Sequence, residues 1–238
     1  MQVSIITPFF NEERTLARLL ERVAAAALPA GMEREFVLVD DGSTDGSAQT
    51  ATDFVARGAG NTHLIKLPHN RGKGAAVRAG LGAATGDIVV IQDADLEWDP
   101  ADYLRLLAPY ADPAVTVVFG SRLLGHDART IYYHYYAGGR LLSGFTNLLF
   151  GSQLTDEPTG MKSFRRSALA GITLTADGFD FDPELVARLL QAGHRIHEIP
   201  VHYQPRTFAE GKKVRPRDGL RALWVLLRIR REGRRRPP

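Results

Sequence analysis

Asp87-Ile88-Val89-Val90-Ile91-Gln92-Asp93-Ala94-Asp95-Leu96-Glu97 sets an apolar run directly against three carboxylates. The pattern predicts a buried strand over 87–92 that delivers an acidic cluster where it emerges. In an extended segment, residues i and i+2 point to the same side, so Asp93, Asp95 and Glu97 are expected to face one ion together. Hard oxygen ligands in a chain without cysteine suit Mg²⁺ or Mn²⁺ carrying a diphosphate. Taken alone, an Asp-x-Asp is equally a solvated strand end.

The chain on either side gives the strand its setting. A strand is expected over 3–8. A helix opens at Asn11-Glu12-Glu13-Arg14-Thr15 and runs to about residue 27, with Leu16, Leu19, Leu20 and Val23 on one face. Next come a strand over 35–40, the turn Asp41-Gly42-Ser43-Thr44-Asp45-Gly46 and a helix to about residue 56. A strand over 63–68 and a helix over 75–84 complete the run. Strand and helix alternate four times, which implies an α/β fold with a mostly parallel sheet covered on both faces. Ligands of such sheets bind beyond the carboxyl ends of the strands. Three polar turns fall there: Phe10-Asn11-Glu12, Asp41-Gly42-Ser43 and Asp93-Ala94-Asp95.

The second half is less regular. Strands are expected over 115–120 and 195–203, and helices over 181–192 and 220–230. Residues 131–150 mix Tyr132, Tyr133, Tyr135 and Tyr136 with Leu141, Leu142, Phe145, Leu148, Leu149 and Phe150. They read as a packed helix pair, or as an amphipathic element lying on a membrane surface. There is no internal repeat and no clear linker. The reading is one domain over 1–230 with two halves, 1–125 and 126–230, and a basic tail over 231–238.

No apolar run is long enough to span a bilayer, and the chain enters a strand at once, so no signal peptide is expected. The absence of cysteine excludes disulfides and thiolate metal sites and fits a reducing cytosol. The seven histidines show no compact ligand spacing. Net charge is +3, with Arg228, Arg230, Arg231, Arg234, Arg235 and Arg236 gathered at the C-terminus. Such a tail is solvated or meets anionic lipid headgroups. No nucleic-acid-binding motif accompanies it, so nucleic acid is not an expected partner.

Thr7-Pro8-Phe9-Phe10-Asn11-Glu12, Val39-Asp40-Asp41-Gly42-Ser43-Thr44-Asp45-Gly46, Gly72-Lys73-Gly74 and Asp93-Ala94-Asp95 occur in one order through the first half. With these pieces the chain resembles the family-2 glycosyltransferases, which have the nucleotide-diphospho-sugar transferase (GT-A) fold. Gly120-Ser121-Arg122, Thr155-Asp156 with Thr159-Gly160-Met161-Lys162, and Arg206-Thr207-Phe208-Ala209-Glu210-Gly211-Lys212-Lys213 extend the likeness to the polyprenyl-phosphate (dolichyl-phosphate) hexose synthases. The resemblance implies that Pro8, Phe10 and Glu12 line a nucleoside pocket, and that Val39 and Asp41 hold the base. It implies that Asp93, Ala94 and Asp95 meet the sugar-nucleotide and its metal, with Glu97 where related synthases carry a metal-binding amide. Arg122 would approach a phosphate, and Arg206 and Lys212 would clamp the diphosphate from a closing loop over 204–217. Asp156 would orient the acceptor, or is only a turn residue; Lys73 and Lys162 are open in the same way. Asp45 reads as a cap.

The implied reaction is inverting transfer of a hexose from a nucleotide diphosphate sugar to polyprenyl phosphate by a peripheral enzyme on the cytoplasmic face of a membrane. Gly72-Lys73-Gly74-Ala75-Ala76-Val77-Arg78 and Glu210-Gly211-Lys212-Lys213 resemble the glucosyl synthases and favour UDP-glucose over GDP-mannose. The competing readings are a transferase with a soluble glycan acceptor and a non-catalytic nucleotide-sugar binder.

Overall fold

The structure is a computed structural model that describes residues 1–58, 60–125, 133–206 and 216–233. Its first half alternates as the hydrophobic pattern dictates. The order is β1 (Gln2–Phe9), α1 (Leu16–Ala25), β2 (Glu33–Asp40), α2 (Ser47–Ala56), β3 (Asn61–Lys66), α3 (Lys73–Ala83) and β4 (Ile88–Ile91). After it come α4 (Tyr103–Leu107), β5 (Val117–Ser121), α5 (Tyr133–Phe150), β6 (Lys162–Arg165), α6 (Phe181–Gln191), β7 (Ile196–Pro200) and α7 (Pro216–Gly233).

All seven strands join one sheet in the order β3-β2-β1-β4-β6-β5-β7. β6 is antiparallel to both of its neighbours, and the other pairings are parallel. Side chains alternate across the pleat, so each strand feeds two cores. Val3, Ile5, Phe36 and Leu38 pack with α1 and α4, while Ile6, Val37, Val89 and Ile91 pack with α3 and α6.

β6 escapes sequence reading because Lys162-Ser163-Phe164-Arg165 shows no apolar run. Its Lys162 and Ser163 are buried, and Ser163 donates its hydroxyl to the Val118 carbonyl. Residues 133–150 form one helix and not the packed pair. On α5, Leu142, Phe145, Leu149 and Phe150 pack against Val225, Leu226 and Ile229 of α7. Leu148 is 81% exposed and Leu220 is 73% exposed, so both helices also turn leucines to solvent.

Gly42, after β2, has φ +71, a conformation that favours glycine. A Cβ there would lie 2.6 Å from the His69 carbonyl carbon. The turn thereby seats the Asp41 side chain beside residues 69–72. Gly42→Ala is expected to cost about 1–3 kcal/mol and to lower the midpoint of urea unfolding; an unchanged midpoint would show that the turn tolerates a side chain.

Candidate active site

β1, β2 and β4 run parallel and stop at one edge of the sheet, at Phe9, Asp40 and Ile91. A cavity of about 990 Å³ opens there. Its wall takes Pro8, Phe10 and Glu12 from beyond β1, Asp41 from beyond β2 and Lys73 from the start of α3. Asp93, Ala94, Asp95 and Glu97 follow β4, and Arg122 and Arg206 close the wall from the second half. These expected residues do come together. Val39 does not join them: it is fully buried beside Val37, facing α3. Lys212, with 207–215, lies outside the described residues, as do His126 and the arginines over 234–236.

The acidic triplet departs from the expected geometry. β4 ends at Ile91, and Asp93–Glu97 is a turn, so alternation no longer governs it. Leu96 has φ +62, a left-handed conformation that reverses the chain. Glu97 therefore swings toward the segment after β7, where it accepts hydrogen bonds from the Tyr203 hydroxyl (2.8 Å) and the Arg206 backbone N–H (3.0 Å). Asp93 takes the Lys73 ammonium at 2.8 Å. Among the described residues, no three acidic or histidine side chains are placed to hold a metal ion.

Arg206 spans what remains. Its guanidinium reaches Asp95 at 3.0 Å, Glu12 at 3.2 Å and Glu97 at 3.7 Å. Even so, burial and the charges of Asp93 and Glu97 push the Asp95 carboxyl up to about 7 against the pull of Arg206. A carboxyl so short of positive charge fits a hard divalent cation. Mg²⁺ is commonly held by one or two carboxylates plus substrate phosphates and water, not by an all-protein cage. Asp95 with Asp93 fits that mode, and the three-carboxylate grip does not.

Behind Asp93 runs an ion-pair row that sequence reading missed. Lys73 also bonds Asp182 at 3.1 Å, and Asp182 bonds Lys162 at 3.0 Å. Burial works to raise the Asp182 pKa, but Lys162 and Lys73 outweigh it and hold the carboxyl below its ordinary value. Asp182 sits in the first turn of α6, where an acid looks like a helix-dipole partner, and that concealed it.

Asp156 lies beneath the cavity instead of in its wall. It grips Arg122 with a two-pronged bond, Nε–Oδ2 2.8 Å and Nη2–Oδ1 2.6 Å, and takes the Arg122 backbone N–H at 2.9 Å. The guanidinium stacks on Tyr203 (4.9 Å to the ring centroid) and Trp98 (5.3 Å). Asp156 is thus an anchor for Arg122. Asp41 accepts N–H bonds from Arg71 and Gly72, both at 2.8 Å, and keeps lone pairs for a further donor. Asp45 has a structural role in the turn before α2, accepting the Ser47 N–H at 2.9 Å and the Glu13 N–H at 3.2 Å.

The model of the family described as Glycosyl transferase family 2 matches residues 4–173. The chain belongs to this family. Among solved structures it is similar to glucosyl-3-phosphoglycerate synthase from Mycobacterium tuberculosis with Mn²⁺, UDP and glucosyl-3-phosphoglycerate. Identity there is 20% and the TM-score 0.68, over 100% of this chain and 81% of that one. The same enzyme with Mg²⁺ and UDP matches at 18% identity and TM-score 0.66, over 100% and 80%. S. aureus TarS with UDP-GlcNAc matches at 20% identity and TM-score 0.65, over 96% of this chain and 66% of that one. These likenesses show that the family-2 chain has their fold.

Glu157 is the other residue that sequence reading passed over. It is fully buried in the cavity wall, facing Lys162, Asp182, Asp156 and Arg122. Burial pushes its carboxyl up to about 7 from an ordinary 4.5. A raised carboxyl pKa costs stability as pH climbs through that window, because the native state binds more protons than the unfolded one. Glu157→Gln is therefore expected to be more stable than the parent by ~3 kcal/mol at pH 8, shrinking below ~1 kcal/mol at pH 5. Urea unfolding at both pH values checks it; a gap that does not change with pH would contradict the raised pKa.

Proposed function

We propose that this family-2 protein is a metal-dependent hexosyltransferase that moves a hexose from a nucleotide diphosphate sugar, UDP-glucose first, to polyprenyl phosphate with inversion. One observation carries the reading. The cavity joins the charged strand tips to an apolar stretch between α5 and α7, lined by Leu141, Leu142, Leu220, Ala222 and Leu223. A nucleotide sugar suits the charged end, and an isoprenoid chain suits the apolar one. Residues 1–125 then supply most of the donor site and 126–230 the acceptor end together with further donor contacts, with 231–238 as a basic tail.

Pro8, Phe10 and Glu12 border the nucleoside, and Asp41 accepts an N–H of the base. Asp95 and Asp93 would hold Mn²⁺ or Mg²⁺ with the diphosphate; both ions occur with UDP in the solved synthase structures. Bound there, the ion would neutralise charge gathering on the leaving group. Arg122 and Arg206 offer forked donors to phosphate oxygens, Arg206 by leaving its carboxylates, and Lys212 adds a point charge. A phosphate oxygen of the acceptor forms the new bond to the anomeric carbon. The bond from that carbon to the donor's diphosphate oxygen breaks, and its electron pair departs with the nucleoside diphosphate. A phosphate monoester is already ionised near neutral pH, so no strong base is required.

Among the described residues, no helix is long and apolar enough to cross a membrane. We place the enzyme on the surface of an anionic, cytoplasm-facing leaflet, held by exposed Leu148, Leu220 and Trp224 and by nearby arginines. Phosphoglyceric acid bound in a synthase structure favours a second reading, in which the acceptor is soluble and phosphorylated. The Gly72–Arg78 likeness to glucosyl synthases is the support for glucose over mannose.

UDP-glucose and GDP-mannose offered with a short polyprenyl phosphate or phosphoglyceric acid should give a hexosylated lipid phosphate by mass, from UDP-glucose most efficiently. Product only on phosphoglyceric acid would decide for the second reading. Asp95→Asn should lower Mn²⁺-dependent turnover by roughly 10²-fold or more with little change in melting temperature. Full activity with unchanged metal demand would remove Asp95 from the ion.

A further inference from the structure

The carboxyl of Glu157 is the least explained polar group in the cleft. Among the described residues, no protein group hydrogen-bonds to either of its oxygens. The backbone is not the cause: the Glu157 N–H bonds the Ser143 hydroxyl of α5 at 2.9 Å, so the loop is fixed. The nearby cations are committed elsewhere. Lys162 gives its ammonium to Asp182 and the Thr159 carbonyl, and Arg122 gives its fork to Asp156. A buried acceptor without a donor weakens the folded state, and folded proteins rarely keep one without a use for it.

The surroundings narrow what could complete it. A phosphate would meet three carboxyls, since Asp156 and Asp182 also face Glu157. A hydrocarbon chain would leave both oxygens unpaired. A metal would find only one carboxyl with free oxygens, because Asp156 is held by Arg122 and Asp182 by Lys73 and Lys162. A hydroxyl offers the missing donor without charge, and the transferred hexose is the hydroxyl-rich part of the donor. The location agrees: Gly160, three residues on, approaches Asp93 so closely that a Cβ would lie 2.5 Å from its Oδ2. Glu157 therefore enters the cleft beside the Asp93–Lys73–Asp182 row.

We propose that Glu157 is the donor-sugar specificity residue of this cleft, its carboxyl accepting a hydrogen bond from a hydroxyl of the transferred hexose. The proposal rests on the reading of the cleft as a nucleotide-sugar site. In the resting structure the carboxyl is closed to bulk water, so the hydroxyl reaches it as neighbouring side chains adjust to the bound donor. The same closure speaks against a proton acceptor, which needs a path to release its proton.

Calorimetry with Mn²⁺ present compares UDP with UDP-glucose on the full chain, for the parent, Glu157→Gln and Glu157→Ala. The parent should gain affinity from the glucose. Glu157→Ala should keep its UDP affinity and lose about tenfold of the glucose gain, with Glu157→Gln retaining part of it. Glucose donors lacking one hydroxyl each should show a penalty at one position in the parent that vanishes in Glu157→Ala. Equal losses for UDP and UDP-glucose would mean a structural role and overturn the proposal. Unchanged UDP-glucose affinity with a fall in kcat and loss of one limb of the pH profile would make Glu157 a proton acceptor and overturn it too. A parent that binds no UDP would instead remove the nucleotide-sugar reading, and this inference with it.

Discussion

Carboxylates crowd the tips of β1 and β4 faster than cations can balance them, and this imbalance organises the cleft. Glu12, Asp93, Asp95, Glu97 and Asp182 are met by Lys73, Lys162 and Arg206. Two unit charges about 4 Å apart interact by about 4 kcal/mol at an effective dielectric constant of 20. Burial and neighbouring carboxylates push up the carboxyls of both Asp93 and Asp95, the latter to about 7. A nucleoside diphosphate is itself an anion and would worsen the deficit. On the proposed reading it enters such a cleft in company with a cation, and Arg206, seated across Asp95, Glu12 and Glu97, yields that place to it.

The fold creates the crowding by topology. Parallel β1, β2 and β4 end at one edge, and each end passes into a polar turn. Antiparallel β6 then carries Lys162 back under the same edge, and α6 begins with Asp182. The second half contributes a counter-charged floor, and Arg122, clamped by Asp156 and stacked on Trp98 and Tyr203, is its most rigid part.

Much of this was legible in the chain. The alternation through residue 91 shows the parallel sheet, and the turns after β1, β2 and β4 show where its ligand edge lies. The failures have physical causes. The i, i+2 argument assumed extended backbone, and left-handed Leu96 breaks it, carrying Glu97 away to Tyr203. Val39 sits in the same motif as Asp41, yet it is still within β2 and packs into the core, whereas Asp41 lies beyond the strand end. β6 is buried through a lysine and a serine, which no hydrophobic pattern marks. Asp182 matters through Lys73, a partner far along the chain, and Glu157 through burial without a donor, and sequence spacing carries no trace of either. On α5 and α7 the leucines were visible, but only packing separates Leu142 and Phe145, which face α7, from Leu148, which faces solvent.

The most direct test is an anomalous-scattering map from a crystal grown with Mn²⁺ and UDP. The expected result is a single manganese peak at ligand distance from Asp95, with the diphosphate on its far side and the Arg206 guanidinium moved off that carboxylate. Ordered UDP with Arg206 still seated on Asp95 and no manganese beside it would contradict a cation-completed cleft.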